Sequence, residues 1–143
     1  MSYMLDTNVF NKIIDEVITL NDLPSDAPFL ATPIQFVEIN KTSDKARRLI
    51  LLEKFHELVV ESLNIKTTLW GYSGWGEGAW DATVCYQPLK DALDARKMKL
   101  NNVEDALIAE VALVEGHILI TADRILADVF RECLGQVILI PSN

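Results

Sequence analysis

The sequence predicts an α/β sandwich built around a mainly parallel sheet. Two observations predict it. Short apolar runs alternate with segments whose apolar residues recur at helical spacing. Each early run also passes straight into a helical segment rather than into a hairpin turn, which is how parallel strands are joined.

Taken in order, "SYML" is a short strand that ends at Asp6. "NVFNKIIDEVITL" follows with Val9, Ile13, Ile14, Val17 and Leu20 at helical spacing, which predicts one helix through Leu20. "LNDLPSDAPF" is a turn-rich connection. "FLATP" is a second strand, and Pro33 suits the first turn of the helix "IQFVEINK", which carries Ile34, Val37 and Glu38. "SDKARRLILLEKFHELV" opens on a Ser/Asp cap and is periodic through Leu49, Leu52 and Phe55. From "VVES" to Trp80 no element is legible; the stretch Trp70 to Trp80 holds four of the six glycines and all three tryptophans. A helix is expected in "DATVCYQPLKDALDARK", bent or interrupted at Pro88. "NNVEDALIAEVALVEG" is the clearest helix, with Asn102 as its cap, Asp105 in its first turn and Gly116 at its end. "HILIT" is a buried strand leading to Asp123, a short helix "RILADVF" follows, and "QVILI" is the last strand.

The 143 residues suit a single domain, 1–143, and half of them are hydrophobic, enough for a continuous core without a disulfide staple. Cys85 and Cys133 stand far apart with no metal-ligand spacing, which fits a reducing, cytoplasmic setting. No apolar run reaches the ~20 residues of a membrane span, and "MSYML" lacks the basic start of a signal peptide, so no membrane partner is expected. The net charge of -8 discourages nucleic-acid binding on average. Its distribution is less discouraging: of 13 Lys and Arg, five lie between Lys41 and Lys54 and four between Lys90 and Lys99. These are basic rims or ordinary solvated helix faces.

Ligands of parallel sheets bind outside the carboxyl ends of the strands. Asp6 and Asp123 both follow an apolar strand at that end, so they face the same edge. Each acid also has an ordinary explanation. Asp6 and Asp123 can cap helices, Asp105 suits a helix start, and Glu38 can face solvent.

Together the motifs "MLDTNVF", "FVEI", "EDALIAEVALVEG" and "LITADRIL" resemble the PIN domain. Within it they resemble the toxin nucleases of prokaryotic toxin–antitoxin pairs, the VapC-like proteins. The resemblance spans the chain, but "TTLWGYSGWGEGAW" departs from it. It implies a PIN-like three-layer sandwich with helices on both faces of the sheet. It implies an acidic quartet of Asp6, Glu38, Asp105 and Asp123, both catalytic and metal-ligating, supported by Thr7, Asn8 and Thr121. It implies a Mg²⁺- or Mn²⁺-dependent ribonuclease, an RNA substrate, and a small antitoxin partner with a basic segment; it also admits a homodimer. The alternative is a PIN-like interaction module that no longer cuts. The chemistry is consistent with a cation: four carboxylates at close quarters repel one another, and hard divalent ions with oxygen ligands remove the conflict. His56 and His117 are not needed for it and are expected as surface or hydrogen-bonded core residues.

Other enzyme signatures fail. A phospho-acceptor receiver domain needs a paired acid at the first strand and a Lys after the last, where this chain has "LDT" and "PSN". "GYSGW" puts Trp75 where a nucleophile elbow needs Gly, and "GWGEGA" lacks the dinucleotide-binding spacing.

Overall fold

The computed structural model describes residues 2–62, 86–96 and 102–142. The expected helix start before Tyr86 and the Gly/Trp-rich stretch 70–80 lie outside the described residues. The elements run β1 (Tyr3–Leu5), α1 (Thr7–Ile14), a 3-10 turn (Leu20–Asp22), β2 (Phe29–Ala31), α2 (Pro33–Asn40), α3 (Lys45–Leu58) and β3 (Val59–Ser62). They continue as α4 (Tyr86–Arg96), α5 (Asn102–Glu115), β4 (Ile118–Thr121), α6 (Arg124–Glu132) and β5 (Val137–Leu139).

Among the described residues all strand pairs are parallel, and the five strands are ordered β3-β2-β1-β4-β5. Met4 pairs with Leu30 on one side and Leu119 on the other. The chain therefore builds outward from β1 in one direction, then returns to lay β4 against the opposite side of β1. That reversal between β1 and β4 is a topological switch point, where crossing loops part and leave a crevice at the carboxyl ends.

Side chains alternate across the sheet and form two cores. Met4 and Leu119 point to the face covered by α4, α5 and α6, where Leu89, Leu93, Leu107, Ile108 and Phe130 are buried. Tyr3, Leu5 and Ile120 point to the face covered by α1 and α3, with Phe10, Leu51 and Phe55. The result is a three-layer sandwich. Pairs such as Phe10–Phe55, with ring centroids 5.6 Å apart and tilted, knit α1 to α3.

The structure departs from the sequence reading in four places. First, α1 ends at Ile14 rather than at Leu20. Glu16 takes a left-handed φ of 61°, its N–H bonds Ile13 O, and the Val17 N–H reaches back to Lys12 O (2.9 Å). These are the paired bonds of a Schellman end, so Val17 and Leu20 are off the helix. Second, β3 adds an edge strand where none was legible. It abuts α3 without a turn residue between Leu58 and Val59, leaving no punctuation to read. Third, Pro88 sits in the first turn of α4, where its missing N–H removes no helical bond, so it does not interrupt the helix. Fourth, Asn102 is itself helical, and its side chain donates to Asp94 Oδ1 (2.9 Å), tying α5 to α4.

Candidate metal centre

Asp6 leaves β1 at the switch point. Its N–H bonds Ile120 O of the neighbouring strand (2.9 Å), which fixes the residue against β4. The side chain is 3% exposed and both oxygens are engaged. Oδ1 accepts the Thr7 N–H (2.8 Å), and Oδ2 accepts the hydroxyl of Thr121 (2.7 Å). Asp6 is thus the N-cap of α1 as well as a buried acid, and its two readings coexist. Burial raises its pKa well above the usual carboxylate range, and the charges of Asp105 and Glu38 add to the rise; the bonds from Thr121 and Thr7 oppose it.

Glu38 is delivered by α2, and the placement of α2 has an identifiable cause. Thr32 caps the helix, and Gln35, buried three residues on, accepts the Thr32 N–H (2.9 Å). The Gln35 amide also donates to Leu5 O (3.0 Å), at the last residue of β1. This capping box therefore bolts α2 to the strand that carries Asp6, and Glu38 follows one turn later. Thr7 Oγ1 donates to Glu38 Oε1 (2.5 Å). Burial pushes the Glu38 carboxyl up to about 7, with Asp105 and Glu104 adding to the rise, while the Thr7 bond and Lys41 oppose it.

Asp105, buried in the first turn of α5, is the third member, and its charge acts on both Asp6 and Glu38. Three elements thus place three carboxyl groups within electrostatic reach. Asp123 sits beside them in a different posture. Its N–H bonds Thr121 Oγ1 (3.0 Å), while its Oδ1 caps α6 by accepting from Ile125 N (2.9 Å) and Leu126 N (3.1 Å). Asn8 orients Thr121: its Oδ1 accepts the Ala122 N–H (3.0 Å) and its Nδ2 lies 3.4 Å from Thr121 Oγ1. Thr121 is therefore the polar hinge of the site, linking Asp6, Asn8 and Asp123. Among the described residues, no group of three Asp, Glu, His or Cys side chains is arranged so that it could hold a metal ion as placed. The donor set nonetheless suits a hard divalent cation. Asp6, Glu38 and Asp105 are all oxygen donors, and the charge of Asp105 raises the proton affinity of the other two.

Two features escaped the sequence reading. The Thr32-x-x-Gln35 box was legible as a motif but was overshadowed by Pro33. Glu110, inside the apolar face of α5, gave no signal. It is 1% exposed, its Oε2 has no hydrogen-bond partner, and burial pushes it up to about 7 against the opposing bond from the Tyr86 backbone. The histidine expectation also needs correction: His117 Nε2 is buried without a partner. His117 precedes β4, at the opposite end of the strand from Thr121, so it takes no part in this site.

No family model and no curated protein matches the sequence. Solved structures do match. VapBC2 of Rickettsia felis, bound to a DNA fragment from its promoter, matches with a TM-score of 0.61 at 20% identity, over 98% of this chain and 99% of that one. VapBC-1 of nontypeable Haemophilus influenzae matches at 0.62 and 18% identity, covering 97% and 98%. VapBC-5 of Mycobacterium tuberculosis, from a toxin–antitoxin system, matches at 0.56 and 22% identity, covering 98% of each chain. The chain has the PIN-like fold. With that fold, the crevice between β1 and β4 is where a ligand is expected from topology alone.

Proposed function

We propose that the chain is a Mg²⁺- or Mn²⁺-dependent endoribonuclease acting as the toxin of a toxin–antitoxin pair. The observation that carries this is the convergence of three carboxyl groups at the switch point: buried Asp6 after β1, buried Asp105 on α5 and half-buried Glu38 on α2, with the charge of Asp105 acting on both of the others. Burying like charges together is costly unless protons or a cation compensate. In this reading Asp6, Glu38 and Asp105 hold the cation, and Asp123 completes the set from the β4 side. A bound divalent ion supplies a water of lowered pKa and stabilises charge on the phosphate. Thr121 holds Asp6 by its Oδ2, and Thr7 holds Glu38 by its Oε1, so both carboxylates are oriented before metal or substrate arrives.

A second reading, an interaction module that no longer cuts, is favoured by the lack of a ready-made three-residue ligand group among the described residues. Mn²⁺ binding measured by calorimetry on the purified protein separates the two: saturable binding lost in Asp6→Asn supports the nuclease, and no binding supports the module.

The antitoxin partner is read from the likeness to VapBC complexes and from charge. A metal-free cluster of carboxylates attracts a guanidinium, which can engage one of them through two parallel bonds. The apolar part of such a contact does not come from α1, because Val9, Phe10 and Ile13 are buried in the core. Phe36 on α2 and Leu49 and Ile50 on α3 are exposed and supply it instead. Among the described residues no helix is long and apolar enough to cross a membrane. Titrating Mn²⁺ into the purified complex is the test: cation that neither weakens the complex nor is excluded by it places the basic segment elsewhere.

A further inference from the structure

Lys41 closes α2 as its C-cap, three residues after Glu38 and therefore on the same side of the helix. Its Nζ lies 3.8 Å from Glu104 Oε2, and Glu104 directly precedes Asp105 in the first turn of α5. The ammonium thus spans from the end of one acid-bearing helix to the start of another. At 3.8 Å the contact is an ion pair but too long for a hydrogen bond, and the Lys41 side chain remains 62% exposed. Neighbouring cations are held differently. Arg47 grips Asp15 with two bonds (2.8 and 3.0 Å) and Asn11 with a third. Arg48 donates to Thr42 O (3.0 Å), and Lys12 to Ser142 O (2.8 Å). The charge of Lys41 also acts on Glu38, against the rise that burial causes.

A loosely paired, solvated ammonium on a flexible stem beside a buried acidic cluster is suited to exchange its partner. We propose that Lys41 is a phosphate-positioning residue: it leaves Glu104 to contact a phosphodiester oxygen of single-stranded RNA, registering the backbone over the acids. This rests on the nuclease reading, and it explains how a chain of net charge -8 tolerates a polyanion at an acidic site. The counter-charge is local, and Glu104 keeps it parked when no RNA is present.

The test uses the full chain. Steady-state cleavage of a short single-stranded RNA with Mn²⁺ is compared for wild type, Lys41→Gln, Lys41→Arg and Glu104→Gln. The same RNA is bound to the Asp6→Asn background, with and without Lys41→Gln, across a salt series. Lys41→Gln is expected to raise KM roughly fivefold with kcat within about twofold, and to lower the salt slope by about 0.7, one phosphate contact on a single strand. Lys41→Arg restores KM, and Glu104→Gln lowers it. Unchanged KM and salt slope in Lys41→Gln overturn the proposal while leaving the nuclease reading intact. Wild type that binds RNA but does not cut it defeats the nuclease reading alone, and the salt slope still decides for or against Lys41. Wild type that neither binds nor cuts defeats both.

Discussion

Thr121 shows how the site depends on a few single atoms. Its hydroxyl donates to Asp6 Oδ2 and accepts from Asp123 N, within a fully buried setting. Thr121→Val keeps the shape and strands both partners, so it should lower stability by about 1–3 kcal/mol in urea unfolding. Half-buried Glu38 and buried Glu110 act through protons. The Glu38 and Glu110 carboxyls are raised from 4.5 to about 7 in the folded state, so between those values the folded chain binds more protons than the unfolded one. Stability of the metal-free protein is then expected to fall as pH rises from about 4.5 to 7. Glu110→Gln removes part of that penalty away from the Asp6–Glu38–Asp105 cluster and should gain about 2 kcal/mol at pH 8 and almost nothing at pH 4. Denaturant midpoints at the two pH values check the sign; equal gains at both would contradict it. The placement of Asp6 and Asp123 at one edge is legible because each closes an apolar strand, whereas Glu38 and Asp105 enter only through the resemblance. Glu110 was not legible, since one acid among "ALIAEVALVE" looks like any solvated helix position.

Helix ends decide most of what was misread among the elements. Three helices finish in the same bond pattern, with the residue beyond the cap left-handed: Glu16 after α1, Gly116 after α5 and Leu134 after α6. Only Gly116 announced itself, because glycine takes positive φ freely while Glu and Leu do not. The apolar spacing of α1 continues to Leu20 with no residue to mark the stop, so the sequence predicts a longer helix than the one that forms. Leu134, at φ 68° and 92% exposed, gains little from its side chain in return for the strain. Leu134→Gly is accordingly expected to stabilise by about 0.5–1 kcal/mol, read as a rise in thermal midpoint. A fall would mean that the exposed leucine packs on something in solution. Pro88 was misread for a related reason: a proline breaks a helix only by its position in it, and the start of α4 could not be placed from sequence.

On the scale of the whole molecule, alternation of strand and helix was enough to foresee a parallel sheet, and strand order then assembled the site. β1 lies between β2 and β4, so residues at the carboxyl ends of β1 and β4 meet although 115 positions separate Asp6 from Thr121. No local pattern encodes that meeting; it follows from the chain reversing direction at β1. The same placement brings α2, anchored by Gln35 to Leu5 O, and the first turn of α5 over the crevice. The central claim, a metal-dependent nuclease at this crevice, is tested most directly by RNA cleavage with Mn²⁺ in wild type and Asp6→Asn. Asp6→Asn relieves like-charge repulsion but turns one of the two oxygens that accept from Thr7 N and the Thr121 hydroxyl into a donor, so the unfolding midpoint of the metal-free variant is measured first to show that it folds. Wild type is expected to cleave RNA in a way that chelation abolishes, and folded Asp6→Asn is expected not to cleave; Mn²⁺-dependent cleavage retained in Asp6→Asn would contradict a metal-dependent nuclease at this site.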